Sequence, residues 1–115
     1  MAKAPEFTSL QEFYPYYLME HSKQSTRTTH FIGTSLLFVL IALAIVKSNY
    51  SILWFLPLAG YGFAWFGHFF FEKNKPATFQ YPFYSLASDF IMFWHMLTFQ
   101  IKGKMVDAAM KFPKE

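Results

Sequence analysis

Two uninterrupted apolar runs dominate the pattern of hydrophobic and polar positions. Phe31 to Val46 holds only Gly33, Thr34 and Ser35 as non-apolar residues, and Tyr50 to Phe71 carries no charge and a single histidine. Runs of this length and polarity predict a hairpin of two membrane-spanning helices. The 18 residues from Thr29 to Val46 make about 27 Å of helix against a hydrocarbon core of roughly 30 Å. The first span is therefore expected to tilt, to sit in thinned bilayer or to be partly re-entrant. A buried helical hairpin of a soluble protein is the other arrangement such runs allow. Pro57 predicts a bend in the second span, and Gly60, Gly62, Ala64 and Gly67 predict close approach of its backbone to the first.

The flanking segments read as two amphipathic helices. Ser9-x-x-Glu12 is a capping-box pattern, after which Phe7, Leu10, Tyr14, Tyr17 and His21 recur at spacings of three and four. Pro15 lies beyond the first turn and predicts a kink or a delayed start. Ser22 to Thr28 reads as a polar turn, with Thr28 or Thr29 capping the first span. Lys73-Asn74-Lys75-Pro76 is a stop, followed by a loop flanked by Pro82 and a helix from Tyr84 to Lys102 closed by Gly103. The expected stripe of that helix runs through Leu86, Asp89, Phe93, Met96 and Leu97, with His95 on the other face beside Ser88, Thr98 and Lys102. The resulting expectation is an all-α, integral membrane four-helix protein: a two-span hairpin flanked by interfacial helices, one domain over residues 1–115 with a charged tail from 104 to 115.

Composition and charge sharpen this picture. At 115 residues there is room for one domain, and 54% hydrophobic with 15% charged residues is greasy for a soluble one. Of the ten Lys and Arg residues only Lys47, in the Lys47 to Ser51 link, lies at the hairpin tip. The other nine place both termini on the cytoplasmic side, of a bacterial inner membrane or of the endoplasmic reticulum in a eukaryote. The pI of 9.2 reads as this orientation plus attraction to anionic lipid, and the scattered basic residues do not describe a nucleic-acid surface. No cleavable signal peptide is visible. The absence of cysteine excludes disulfides, iron–sulfur clusters and thiol chemistry.

Candidate chemistry then concentrates in the histidines. His21, His30 and His68 fall at the edges of apolar segments, and the hairpin brings those edges together. On one unbroken helix, residues nine apart are rotated by about 900°, which puts His21 and His30 on opposite faces. A chain reversal between them lets both reach one ion, so the turn between the first two helices is part of the prediction. His68 and Glu72 share a helix face, where the carboxylate either ligates the same metal or orients the ring. Asp89, a polar group on an apolar stripe, is a further candidate ligand, and His95 is expected only to hydrogen-bond at the interface. Zinc accepts the same donors. Other readings of these histidines are a bis-histidine haem protein and a noncatalytic membrane or lipid-binding scaffold in which they pair with lipid phosphates. Four histidines are about half of what a diiron fatty acid hydroxylase requires.

Three blocks carry a resemblance. Phe13-Tyr14-Pro15-Tyr16-Tyr17-Leu18-Met19-Glu20-His21, then Arg27-Thr28-Thr29-His30-Phe31-Ile32-Gly33, then Gly67-His68-Phe69-Phe70-Phe71-Glu72-Lys73-Asn74-Lys75-Pro76-Ala77 occur in order. Together they resemble a small membrane family whose characterised fungal members are 2-hydroxy fatty acid dioxygenases. The resemblance covers about Leu10 to Gly103 and is closest in kind to the compact bacterial-type members. It implies an iron(II)-dependent α-oxidation in which a 2-hydroxy fatty acid and molecular oxygen yield a fatty acid one carbon shorter. It further implies His21, His30 and His68 as ligands with Glu72 completing or orienting the sphere, and Arg27, Lys73 or Lys75 offsetting the substrate carboxylate. Aromatic walls from Phe63 to Phe71 and from Phe90 to Phe93 would hold the acyl chain. Oligomeric state is not legible.

Overall fold

Helix α1, Leu10–Met19, starts where the capping box places it: Ser9 Oγ accepts from the Glu12 N–H at 3.2 Å and the Glu12 carboxylate reaches back to the Thr8 N–H at 3.2 Å. The computed structural model describes residues 6–76 and 79–113; Lys3, Ala77 and Lys114, which enter the sequence reading, lie outside them. The helix runs through Pro15 without interruption. A short reversal over residues 20–23 follows, and α2, Gln24–Val46, begins one turn or more before the expected start at Thr28 or Thr29. Its 23 residues give about 34 Å of helix, enough to cross a hydrocarbon core of roughly 30 Å without thinning. The polar residues from Gln24 to Thr28 are thus the first turn of a helix and not a loop.

The second long segment is continuous from Tyr50 to Glu72 but changes pitch twice. A 3₁₀ stretch, Tyr50–Phe55, gives way to α3, Leu56–Phe66, with Pro57 in its first turn, where a missing N–H costs nothing. Pro57 therefore marks a change of helix type and not the bend of a uniform helix. The last six residues, Gly67–Glu72, form a π-helical turn that ends at Lys73 in the left-handed conformation, φ 62°. Helix α4, Pro82–Leu97, and α5, Ile101–Lys111, complete the chain, separated by a turn in which Phe99 has φ 61°. Five helices and no strand are present among the described residues. The expected single helix through Lys102 is broken at residues 98–100, Gly103 lies inside α5, and residues 104–111 of the expected tail are helical and packed on α1 through Ala108.

Two packing regimes divide the molecule. At one end Phe13, Tyr17, Leu18, Met19, Met92 and Ala108 form a buried core contributed by α1, α4 and α5. At the other end the α2–α3 hairpin stands largely uncovered, with Val46 80% and Trp54 85% exposed. Both long segments are apolar enough to cross a membrane, yet only 22% of each apolar window is buried. Helix α4 buries Ser85, Ser88 and Met92, and the expected stripe is divided: Phe93 stacks on Phe31 and Met96 packs on the core, whereas Leu86 and Leu97 are exposed.

Close approach of α2 to the second segment depends on glycine at two positions. A Cβ on Gly33 would stand 3.0 Å from Phe63 Cβ, and one on Gly67 would collide with Thr29 Oγ1 and come within 3.3 Å of Thr26 Cγ2. Gly62 has open space instead, so it is not part of the expected small-residue seam. Gly67→Ala should destabilise the protein by about 1–3 kcal/mol through overpacking. Thermal unfolding in detergent should show Thr29→Ala rescuing most of that loss in the double variant, whereas additive costs would contradict this contact as the cause.

Candidate metal centre

His21, His30 and His68 meet in the interior where the reversal after α1, the first turns of α2 and the π-helical turn converge. Their nearest ring nitrogens all lie within 4.8 Å of one another. His21 and His68 are 1% exposed and His30 6%. The rings pack edge to face, with centroid separations of 4.3 Å for His21–His30, 4.3 Å for His21–His68 and 5.4 Å for His30–His68. The reversal over residues 20–23 is what brings His21 and His30 together, as the nine-residue spacing requires.

Each imidazole is held through Nδ1 by a different acceptor. His21 Nδ1 donates to the Tyr17 carbonyl at 2.7 Å, one turn back in α1. His68 Nδ1 donates to Asn74 Oδ1 at 2.8 Å, and the Asn74 amide nitrogen in turn donates to the backbone oxygen and the carboxylate of Glu20, both at 3.0 Å, which fixes the amide's orientation. His30 Nδ1 lies 3.4 Å from Asp89 Oδ1, and Asp89 also accepts a short hydrogen bond from the Tyr17 hydroxyl. With Nδ1 the donor in His21 and His68, the Nε2 lone pairs of those two rings remain free, and a proton on His30 Nδ1, the nitrogen nearest Asp89, frees the third.

Those lone pairs converge. His21 Nε2 and His30 Nε2 are 2.9 Å apart, and two imidazole nitrogens at right angles on one ion, each bonded at 2.0–2.1 Å, are themselves roughly 2.9 Å apart. The donor set therefore fits a metal ion. A proton is a poor substitute, since burial first, then His30 and His68, pushes the His21 imidazole well below its ordinary pKa. Burial, then Asp89, pushes the Tyr17 hydroxyl well above its usual range, so it stays a donor to that carboxylate. The haem reading does not fit: three rings in edge-to-face contact leave no slot for a planar macrocycle between any two of them.

The remaining expected site residues are placed differently. Glu72 does not join the histidines. Its carboxylate still acts electrostatically on His68, but its hydrogen bonds go elsewhere. Glu72 instead caps the start of α2, accepting from Ser22 Oγ at 2.9 Å, from Thr26 Oγ1 at 3.0 Å and, through a short bond, from the Lys23 N–H. A carboxylate there meets free N–H groups and the positive end of the helix dipole. Arg27 binds the carbonyls ending the first reversal, His21 O at 2.7 Å and Ser22 O at 2.8 Å, and Lys73 and Lys75 are exposed on the following loop. Asp89 belongs to the site, but as the group that orients His30. His95 lies outside it, with Nδ1 2.7 Å from the Tyr14 hydroxyl. Tyr17, Asn74 and Glu20 are the residues sequence reasoning missed.

A cleft reaches the histidine group. It encloses about 280 Å³ between α2, α3 and α4 and has His30 and Asp89 at one end. Phe90 lines it, whereas Phe63 and Phe66 line a separate groove on the opposite side of the hairpin. The expected aromatic walls are thus split between two surfaces.

Fold and site together define a small all-helical protein with a buried three-histidine group able to bind a metal. The chain belongs to the Mpo1-like family, described as 2-hydroxy-palmitic acid dioxygenase Mpo1-like, whose model matches residues 7–101. No curated protein and no solved structure matches the chain.

Removing the Tyr17 hydroxyl and neutralising Glu72 should have opposite signatures. Tyr17→Phe should lower metal affinity about 10-fold or more through Asp89 and His30. Glu72→Gln should leave affinity unchanged while costing about 1–3 kcal/mol of stability, because it weakens charge-assisted bonds at a helix N-terminus. Metal titration beside thermal unfolding separates the two; loss of metal in the Glu72 variant would return that residue to the coordination sphere.

Proposed function

We propose that the protein is an iron(II)-dependent dioxygenase that shortens 2-hydroxy fatty acids by one carbon at a membrane surface. The observation carrying this reading is the meeting of three buried imidazoles, each offering a nitrogen within 4.8 Å of the others, in a chain of the Mpo1-like family. The α2–α3 hairpin is the membrane-embedded part. Its large exposed apolar side chains are tolerable in lipid and costly in water. The inward-facing serines of α4 support the same environment. Charge placement puts both termini on the cytoplasmic side.

His21, His30 and His68 would hold the metal through Nε2. Iron(II) held there would supply the redox chemistry by which molecular oxygen oxidises a 2-hydroxy acid. The chain's own contribution is orientation and exclusion of water. The Tyr17 carbonyl, the Tyr17–Asp89 pair and the Glu20–Asn74 pair fix the three rings, so little reorganisation is needed when ligands arrive. Burial of His21 and His68 leaves the His30 side as the approach for substrate. Arg27 is committed to backbone carbonyls, so the metal held by the histidines would supply the countercharge for the substrate carboxylate.

The net reaction consumes one oxygen molecule per acid shortened, and carbon dioxide and water balance the released carboxyl carbon. Purified protein loaded anaerobically with iron(II) should take up oxygen when given 2-hydroxypalmitate and yield the fifteen-carbon acid in equal amount. Palmitate without the 2-hydroxyl should support no uptake. Metal-loaded protein that takes up no oxygen with any 2-hydroxy acid would overturn the enzymatic reading and leave a metal-binding membrane scaffold.

A further inference from the structure

The cleft beside His30 has a length and a polar end that the metal site alone does not explain. Its α2 wall is a single stripe formed by His30, Thr34, Leu37, Phe38 and Ile41, residues whose spacing keeps them on one helix face. Leu56, Pro57 and Gly60 form the facing wall. At Gly60 a Cβ would stand 3.5 Å from Leu37 Cδ2, so glycine leaves the cleft its width at mid-length. The lining is apolar except for Tyr61 and, at the histidine end, Thr34 and Asp89. Thr34, 6% exposed, stands one helical turn from His30 at that end. An apolar cleft whose polar groups gather at one end matches a ligand with a hydrocarbon chain and a single polar head.

We infer that this cleft seats the hydrocarbon chain of the 2-hydroxy acid, with Thr34 bonded to its polar head beside His30 and with Ile41 and Leu56 gauging its length. The inference rests on the reaction proposed above. From His30 to Ile41 the stripe runs about 16 Å along the helix. An extended chain advances roughly 1.2 Å per bond, as the 3.3–3.6 Å of a three-bond peptide unit implies, so about thirteen bonds fill that length. Thirteen bonds lead from the third carbon of a sixteen-carbon acid to its end, while the first two carbons stay with the metal. The groove on the opposite side of the hairpin lacks these features. No member of the histidine group lines it, and its hydroxyl, that of Thr29, is already bonded to the Thr26 carbonyl at 2.7 Å.

Leu40 and Ile41 are neighbours in sequence that face the two different surfaces, which makes the test direct. Iron-loaded protein in lipid nanodiscs is titrated anaerobically with 2-hydroxy acids of ten to eighteen carbons, and turnover is then started with oxygen. The wild type should bind the sixteen-carbon acid best. Ile41→Trp should move the optimum down by about four carbons, one helical turn of lost cleft, with metal content unchanged, and Leu40→Trp should leave the profile as it was. Thr34→Val should keep the optimum and weaken binding about 10-fold through the lost hydrogen bond. An unchanged profile in Ile41→Trp, or a shift in Leu40→Trp alone, would overturn the inference. The shift in binding without formation of the shortened acid would uphold the cleft and instead refute the dioxygenase reaction.

Discussion

Three imidazole lone pairs turned toward one another in a buried space repel unless a cation lies among them, and the surrounding structure is arranged to keep them there. Each Nδ1 is tied to an acceptor from a different part of the chain: the Tyr17 carbonyl in α1, Asp89 in α4 and Asn74 after the π-helical turn. Releasing any one would let its ring rotate away. The constraint therefore extends to Tyr17, whose hydroxyl also holds Asp89, and to Glu20, which holds Asn74. The reversal after α1 is itself secured from outside by Arg27 on its carbonyls and by Glu72 on the start of α2.

This arrangement explains why the polar end of the molecule is dense and its hairpin end bare. The metal-binding group needs four elements packed around it, and α1, α4 and α5 supply an aromatic core beside it, with Phe13 in contact with Tyr16, Tyr17, Tyr81 and Tyr84. The hairpin carries two of the three histidines at its packed end and leaves its far end uncovered. Gly67, directly before His68, lets the backbone come against Thr26 and Thr29, so the small residue that closes the hairpin also sets the height of the histidine.

Much of this was legible in the chain itself. The histidines could be assembled because their positions at segment edges, together with the rotation of nine residues on a helix, forced a reversal that the polar stretch after His21 could supply. The capping box, the stop after Glu72 and the helical class followed from equally local rules. What escaped depended on what lies opposite a residue. Spacing put Glu72 on the His68 face, but the hydrogen-bond donors at the start of α2 decided its partners. Asn74 read as a turn residue because its amide meets His68 and Glu20 only after the chain folds back. The stripe of α4 was legible as a periodicity, but periodicity does not say which of its members pack inward: Asp89 meets Tyr17 and Phe93 meets Phe31, while Leu86 and Leu97 stay exposed. Helix α5 was hidden by Gly103 and by its charge.

The most direct test of the three-histidine centre is elemental analysis of anaerobically purified protein, comparing wild type with His21→Ala, His30→Ala, His68→Ala and His95→Ala. About one iron per chain is expected in the wild type and in His95→Ala, with none retained when any one of the three converging histidines is removed. Stoichiometric metal surviving in those three variants, equal loss in His95→Ala, or no bound metal in the wild type would contradict a shared ion among His21, His30 and His68.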